Sequence, residues 1–150
     1  MLELYKVNPL IEPEVFVEDT RLIAKKLLNS ELDIAIVEGK IKHPDIVTKS
    51  IINDNLVLIC SHKHEFYKRD SIKVSELSNQ PLIMRELGSG TRAQLEKQLK
   101  ELKIPMNIRW SCYNSEAILR AVVDNFGIAV ISELLIEDYF KKSTSFCWAL

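Results

Sequence analysis

An excess of either charge is missing from this chain: 20 Lys and Arg stand against 21 Asp and Glu in 150 residues, a formal net charge of −1. A nucleic-acid binder neutralises phosphates with a basic stripe, and the largest basic groups here are pairs such as Lys25-Lys26, Lys68-Arg69 and Lys141-Lys142. Direct DNA binding by these residues is therefore not expected. Long apolar runs are missing too: stretches such as Gly127 to Ile131 fall far short of the ~20 residues that cross a bilayer. Met1 to Lys6 has no basic region ahead of an apolar stretch. A soluble, cytosolic protein with no membrane partner is the expectation. Cys60, Cys112 and Cys147 are odd in number and far apart, which argues against a disulfide framework and against a zinc site built on paired thiolates. No Gly-Lys-Ser/Thr occurs, so there is no P-loop, and no Ser or Cys stands with a His and a carboxylate at a recognisable spacing. Neither a cofactor nor an enzymatic activity is expected.

What the chain does have is an alternation of apolar strands and amphipathic helices, the pattern of an α/β fold with a largely parallel sheet. Glu14 to Val17 reads as a strand, and Asp19 as the cap of a helix with Leu22, Ile23, Leu27 and Leu28 on its apolar face. Asp33 to Gly39 reads as a short buried strand ending in a carboxylate and a glycine. Residues 40 to 54 read as a connection or an edge strand, Leu56 to Cys60 as a buried strand and Val74 to Leu77 as a short helix. Ala93, Leu95, Leu99 and Leu102 recur at mainly helical spacing before Pro105. Ile108, Trp110 and Cys112 alternate with polar residues, as in a strand with one face in the core. A helix over Ala117 to about Asn125, the strand Gly127 to Ile131 and a last helix from Ser132 follow.

The segment Pro81-Leu82-Ile83-Met84-Arg85-Glu86-Leu87-Gly88-Ser89-Gly90-Thr91-Arg92 carries the chemistry. An apolar strand runs into a Gly-Ser-Gly turn that opens a helix. Glycines let a backbone approach closely, and the unpaired N–H groups of a first helical turn favour negative charge. Ser89 and Thr91 add hydroxyls and Arg92 a positive fork, so an anion or a carboxylate is the ligand this turn suits.

These residues also carry a resemblance. Asn29 to Gly39, Arg85 to Arg92, and Asn114-Ser115-Glu116-Ala117-Ile118 followed by Gly127 to Ser132 resemble, in order and spacing, the effector-binding domain of LysR-type transcriptional regulators. The resemblance implies a two-lobed, type II periplasmic-binding-protein-like α/β fold with parallel sheets and a small effector in the cleft between the lobes. It implies residues 1–40 as a partial first lobe, 41–142 as the second lobe and 143–150 as an incomplete C-terminal strand, with no DNA-reading domain. It places Thr20, Glu38, Ser89, Gly90, Thr91, Arg92, Asn114 and Ser132 about the cleft, with Gly39 where the chain leaves the first lobe. A homo-oligomer is expected, since the family pairs its effector domains.

Two rival readings come from other classes. Gly88-Ser89-Gly90-Thr91-Arg92-Ala93 also fits the glycine pattern of a dinucleotide-binding turn, although the next strand ends without the acidic residue that holds a ribose. A fragment that acts only by pairing with full-length regulators is the other. His62 and His64 form a possible metal pair with Cys60 as their one nearby helper.

Overall fold

Asp19 caps the helix that begins at Thr20 in this computed structural model, in which residues 6–38, 41–140 and 146–149 are described. The Asp19 carboxylate accepts from the Leu22 amide at 2.9 Å, and helix α1 (Thr20–Leu28) ends at Asn29, with Lys25 and Lys26 in its last turn where the helix dipole favours positive charge. The segments on either side of α1 differ from expectation. Residues 14–17 and 33–38 pair with no strand among the described residues, and Val17 and Ile34 are 92% and 85% exposed. A strand is stabilised by a neighbour's hydrogen bonds and by a covering layer, and among the described residues these segments have no strand neighbour, so Val15, Val17, Ile34 and Ile36 stay at the surface. The expected ends of the chain at Met1 to Tyr5, the hinge residue Gly39, and residues 143–145 and 150 of the C-terminal strand lie outside the described residues.

The remaining strands are β1 (Leu56–Ser61), β2 (Pro81–Arg85), β3 (Asn107–Cys112), β4 (Ala129–Ser132) and β5 (Phe146–Ala149). β2 and β3 are parallel, from Pro81 opposite Asn107 to Arg85 opposite Cys112. β1 is antiparallel to β4 on one side and to β5 on the other. Ile128 joins the two ladders: it bridges to Leu82 in the parallel sense, donating to the Pro81 carbonyl at 2.9 Å and accepting from the Ile83 amide at 2.8 Å. The resulting order is β3-β2-β4-β1-β5, a mixed sheet whose parallel half lies around β2 and whose antiparallel half lies around β1. Gly127 makes the junction possible, since a Cβ there would fall 2.3 Å from the Pro81 oxygen.

Alternation along the strands sends side chains to two cores. Leu58, Cys60, Leu82, Met84 and Ile128 face helix α2 (Gly90–Glu101) through Leu95 and Leu99, with Leu77 of the 3₁₀ turn Val74–Asn79 beside them. Val57, Ile59, Ile83, Ala129 and Ile131 face helices α3 (Ser115–Val123) and α4 (Glu133–Phe140) through Ile118, Leu119, Val122 and Ile136. Ile108 and Trp110, expected in the core, are instead 37% and 43% exposed. Among the described residues β3 pairs with β2 alone, and α3, which packs on Cys112 as well as on Ile83 and β4, covers the face of β3 only in part. The start of α4 is tied to the entry into β1: the Glu133 amide donates to the Asn55 carbonyl at 2.8 Å and Asn55 Nδ2 to the Glu133 carboxylate at 2.9 Å.

Candidate functional site

Neighbouring parallel strands β2 and β3 send their helices to opposite faces of the sheet, which leaves a crevice at their carboxyl ends, the usual ligand position in open α/β sheets. The turn after β2 is built for a helix start. Gly88 has φ +108°, a conformation that costs an L side chain dearly, and Ser89 caps α2 by accepting from the Arg92 amide at 3.4 Å. Ser89 and Thr91 are both buried.

Residues from the N-terminal part of the chain close over this turn. Thr20 Oγ1 donates to the Glu38 carbonyl at 3.3 Å, and the Thr91 hydroxyl donates to the Glu38 carboxylate. A Cβ on Gly90 would lie 2.1 Å from the Glu38 carbonyl oxygen and 3.2 Å from Thr20 Oγ1, and one on Gly88 would lie 2.8 Å from the Asp19 carboxylate. Both glycines therefore admit parts of the same chain. The starts of α1 and α2 meet with the carboxylates of Asp19 and Glu38 at the contact, a favourable setting for negative charge. Space that a dinucleotide pyrophosphate would need at Gly90 is filled by the Glu38 backbone. Thr20, Glu38, Ser89, Gly90 and Thr91 are thus brought together as the sequence suggests, and Asp19, read there as a cap alone, joins them.

The other candidates are engaged elsewhere. Arg92 does not aim a fork at the helix start: its Nε pairs with Glu96 at 2.6 Å, and its Nη1 donates to the Arg85 carbonyl at 3.0 Å and to Ser111 Oγ at 3.1 Å, pinning α2 to the ends of β2 and β3. The positive charge near the crevice comes from Arg85, which the sequence reading passed over. Its guanidinium grips the buried Glu86 carboxylate at 2.9 and 3.1 Å and reaches Ser115 Oγ at 3.3 Å. Burial works against the Arg85 charge, but the hydrogen bond to Glu86 and the fields of Glu86, Glu38 and Cys112 outweigh it and raise the pKa. Position was the signal for Arg85: it is the last residue of a strand whose carboxyl end faces the crevice. Asn114 accepts from the amides of Glu116 and Ala117 at 2.9 and 3.3 Å and so caps α3, and Ser132 accepts from the Leu135 amide at 3.3 Å and caps α4.

Among the described residues no group of three or more His, Cys, Asp or Glu side chains is placed to hold a metal. His64 uses both ring nitrogens, Nε2 with Gln80 at 3.1 Å and Nδ1 with the Phe66 amide at 3.1 Å, while His62 stacks edge-on against Tyr67. The metal pair is not assembled.

A crevice at parallel strand ends, with the Glu38 carboxylate on Thr91 at the helix start, agrees with a family match: the LysR substrate binding domain describes residues 1–144. The chain belongs to this family. It is 32% identical over 130 residues to the HTH-type transcriptional activator CmpR of Synechocystis sp., covering 87% of this chain and 43% of CmpR. The HTH-type transcriptional regulator CysL of Bacillus subtilis is 23% identical over 146 residues, covering 97% of this chain and 49% of CysL. The chain therefore spans less than half the length of these two relatives. Among solved structures, the regulatory domain of CcmR from Synechocystis, in complex with 2-PG (2-phosphoglycolate), matches with a TM-score of 0.85 at 25% identity, covering 97% of this chain and 70% of that one. The effector binding domain of QuiR, in complex with shikimate, matches with a TM-score of 0.82 at 21% identity, covering 99% and 70%. The fold is that of LysR effector-binding domains, periplasmic-binding-protein-like of type II, and the chain is a LysR substrate-binding domain, a module of transcriptional regulators rather than of an enzyme family. No helix among the described residues is long and apolar enough to cross a membrane.

Proposed function

We propose that this LysR substrate-binding domain senses a small anion or a carboxylate-bearing molecule at the start of α2, with Ser89, Gly90 and Thr91 on the second-lobe side and Thr20 and Glu38 on the first-lobe side. One observation carries the reading: the Thr91 hydroxyl at that helix start already holds a carboxylate, that of Glu38. A hydroxyl and a helix start that suit a glutamate side chain suit the acidic group of an effector equally well. The 2-phosphoglycolate of the CcmR complex and the shikimate of the QuiR complex both bear a carboxylate, which supports the same chemistry. Asn114 and Ser132, at the ends of β3 and β4, line the same side of the sheet as supporting residues, and Arg92 fixes α2 against β2 and β3 without touching the effector. In this reading the domain binds without turning over its ligand and works in the cytoplasm as part of a homo-oligomeric regulator. Residues 1–40 act as first lobe, 41–142 as second lobe, and DNA is read outside these residues.

Calorimetric titration of the 150-residue chain with inorganic phosphate, 2-phosphoglycolate and shikimate tests the reading. The double variant Ser89→Ala/Thr91→Ala should weaken binding of whichever anion the parent takes by about tenfold or more, the loss expected from hydrogen bonds to a charged group, while Thr48→Ala in the connecting segment changes nothing. Unchanged affinity in the double variant would make the turn purely structural.

A further inference from the structure

We infer that Glu38 is a resident occupant of the anion subsite, and that an anionic effector binds by displacing its carboxylate from Thr91. The inference rests on the reading of the α2 start as the effector site. Its basis is a juxtaposition of unequal partners. Thr91 is 5% exposed and its hydroxyl is committed to the Glu38 carboxylate, whereas Glu38 itself is exposed at the end of the first lobe. An outside anion cannot take that hydroxyl while Glu38 holds it, yet the Glu38 side chain can turn into water without opening the core. Its backbone need not follow, because the Glu38 carbonyl has its own donor in Thr20 and its own space over Gly90.

The other charged groups around the turn are fixed. Asp19 is buried as the cap of α1, and Glu86 is buried against Arg85. With Glu38 inward, the carboxylates of Asp19, Glu86 and Glu38 stand near the turn beside the Arg85 guanidinium, which Glu86 already engages, and Arg92, which Glu96 engages, so that a second anion is disfavoured. With Glu38 outward, the same turn offers a hydroxyl and a helix start with one negative charge fewer. Glu38 therefore sets a threshold that the effector's acidic group must exceed, and exchange of the two acids changes what holds the hinge to α2.

The test uses the 150-residue chain and the variants Glu38→Gln, Glu38→Ala and Thr91→Val, titrated calorimetrically with inorganic phosphate and 2-phosphoglycolate after circular dichroism has confirmed that each is folded. Both Glu38 variants should bind at least one of these anions about tenfold tighter than the parent, the effect expected from removing a like charge a few ångströms from a bound anion, and Thr91→Val should weaken binding. If Thr91→Val weakens binding but neither Glu38 variant strengthens it, Glu38 is a contact for the effector or a bystander and the inference is overturned while the site stands. If Thr91→Val binds like the parent, or if no variant binds either anion, the site reading fails and the inference with it.

Discussion

Gly127→Ala should strike the junction that holds the crevice in shape. A methyl carbon on Gly127 would fall 2.3 Å from the Pro81 carbonyl oxygen and 3.2 Å from Ile83 Cγ1. The Ile83 side chain can adjust by rotation. The Pro81 carbonyl cannot, because it accepts from the Ile128 amide at 2.9 Å while the Ile83 amide donates to Ile128 at 2.8 Å, and these two bonds join β2 to the β4 side of the sheet. Overpacking a core costs about 1–3 kcal/mol, and each hydrogen bond weakened by the forced separation costs about 0.5–1.5 kcal/mol more. Alanine returns about 0.4–1 kcal/mol by restricting the unfolded chain. The net expectation is a loss of about 2–4 kcal/mol, or a melting temperature lowered by about 6–15 °C. Thermal and urea unfolding followed by circular dichroism measure it. Gly90→Ala is the control, because its obstacle at 2.1 Å is nominally worse yet belongs to the exposed Glu38 segment, which can swing away. That variant should melt within about 2 °C of the parent, below the shift expected for 1 kcal/mol. A Gly127→Ala chain as stable as the parent, or a Gly90→Ala chain as damaged as Gly127→Ala, would refute the assignment of a rigid sheet junction and a compliant hinge.

Two further outcomes follow from the charges and the exposed apolar residues. Glu76 is held below the ordinary carboxylate range first by its hydrogen bonds to Arg69 at 2.8 and 3.1 Å and then by the Lys73 amide, so its contribution to stability is present above that range and lost as pH falls through the lowered folded value. Glu76→Gln should therefore melt slightly below the parent at pH 7 and together with it at the acid end of a melting-temperature series, the effect staying small because the pair is exposed. Val15, Val17, Ile34 and Ile36 are 62–92% exposed on segments without strand partners, and light scattering should show dimers or larger species whose share falls in a Val17→Glu/Ile34→Glu variant. A monodisperse monomer at high concentration would refute this.

Local signals made residues 56–136 legible and left the segments around α1 obscure. Asp19 before Thr20 and Ser89 before Gly90 announce helix starts that the structure has, because a cap acts within three residues and needs no information from the rest of the chain. Residues 33–38 have the apolar run of a buried strand, but burial belongs to the layer above, and apolar pattern alone supplies no neighbour. The same reason separates Ile108 and Trp110 from Leu82 and Met84: β2 pairs with β3 on one side, bridges to Ile128 on the other and has a core on each face, whereas β3 pairs among the described residues with β2 alone. At the site, hydroxyls and glycines announce an anion, yet the direction of a long side chain is a tertiary matter. Arg92 therefore reads as the cation of the turn until Glu96, Ser111 and the Arg85 carbonyl are seen to hold it, and Arg85 reads as the end of a strand until its guanidinium is seen beside Glu86 and Ser115.

Among the described residues the starts of α1 to α4 each have a polar partner, and the origin of those partners separates one from the rest. Asp19, Asn114 and Ser132 cap α1, α3 and α4 from within three residues of the amides they serve, and none of them can leave without fraying its own helix. α2 has such a cap in Ser89 and, in addition, the Glu38 carboxylate on Thr91, supplied from 53 residues earlier in the chain. That second acid is redundant for the helix, so removing it leaves the capped first turn intact. It arrives on an exposed segment whose ordering is opposed by the conformational entropy of the chain that carries it. An outside anion at the same place meets the same hydroxyl and the same helix start, with its own loss of translational freedom to set against that chain entropy. Reversible exchange of the two acids, as inferred above, is what a sensor requires of its ligand contact.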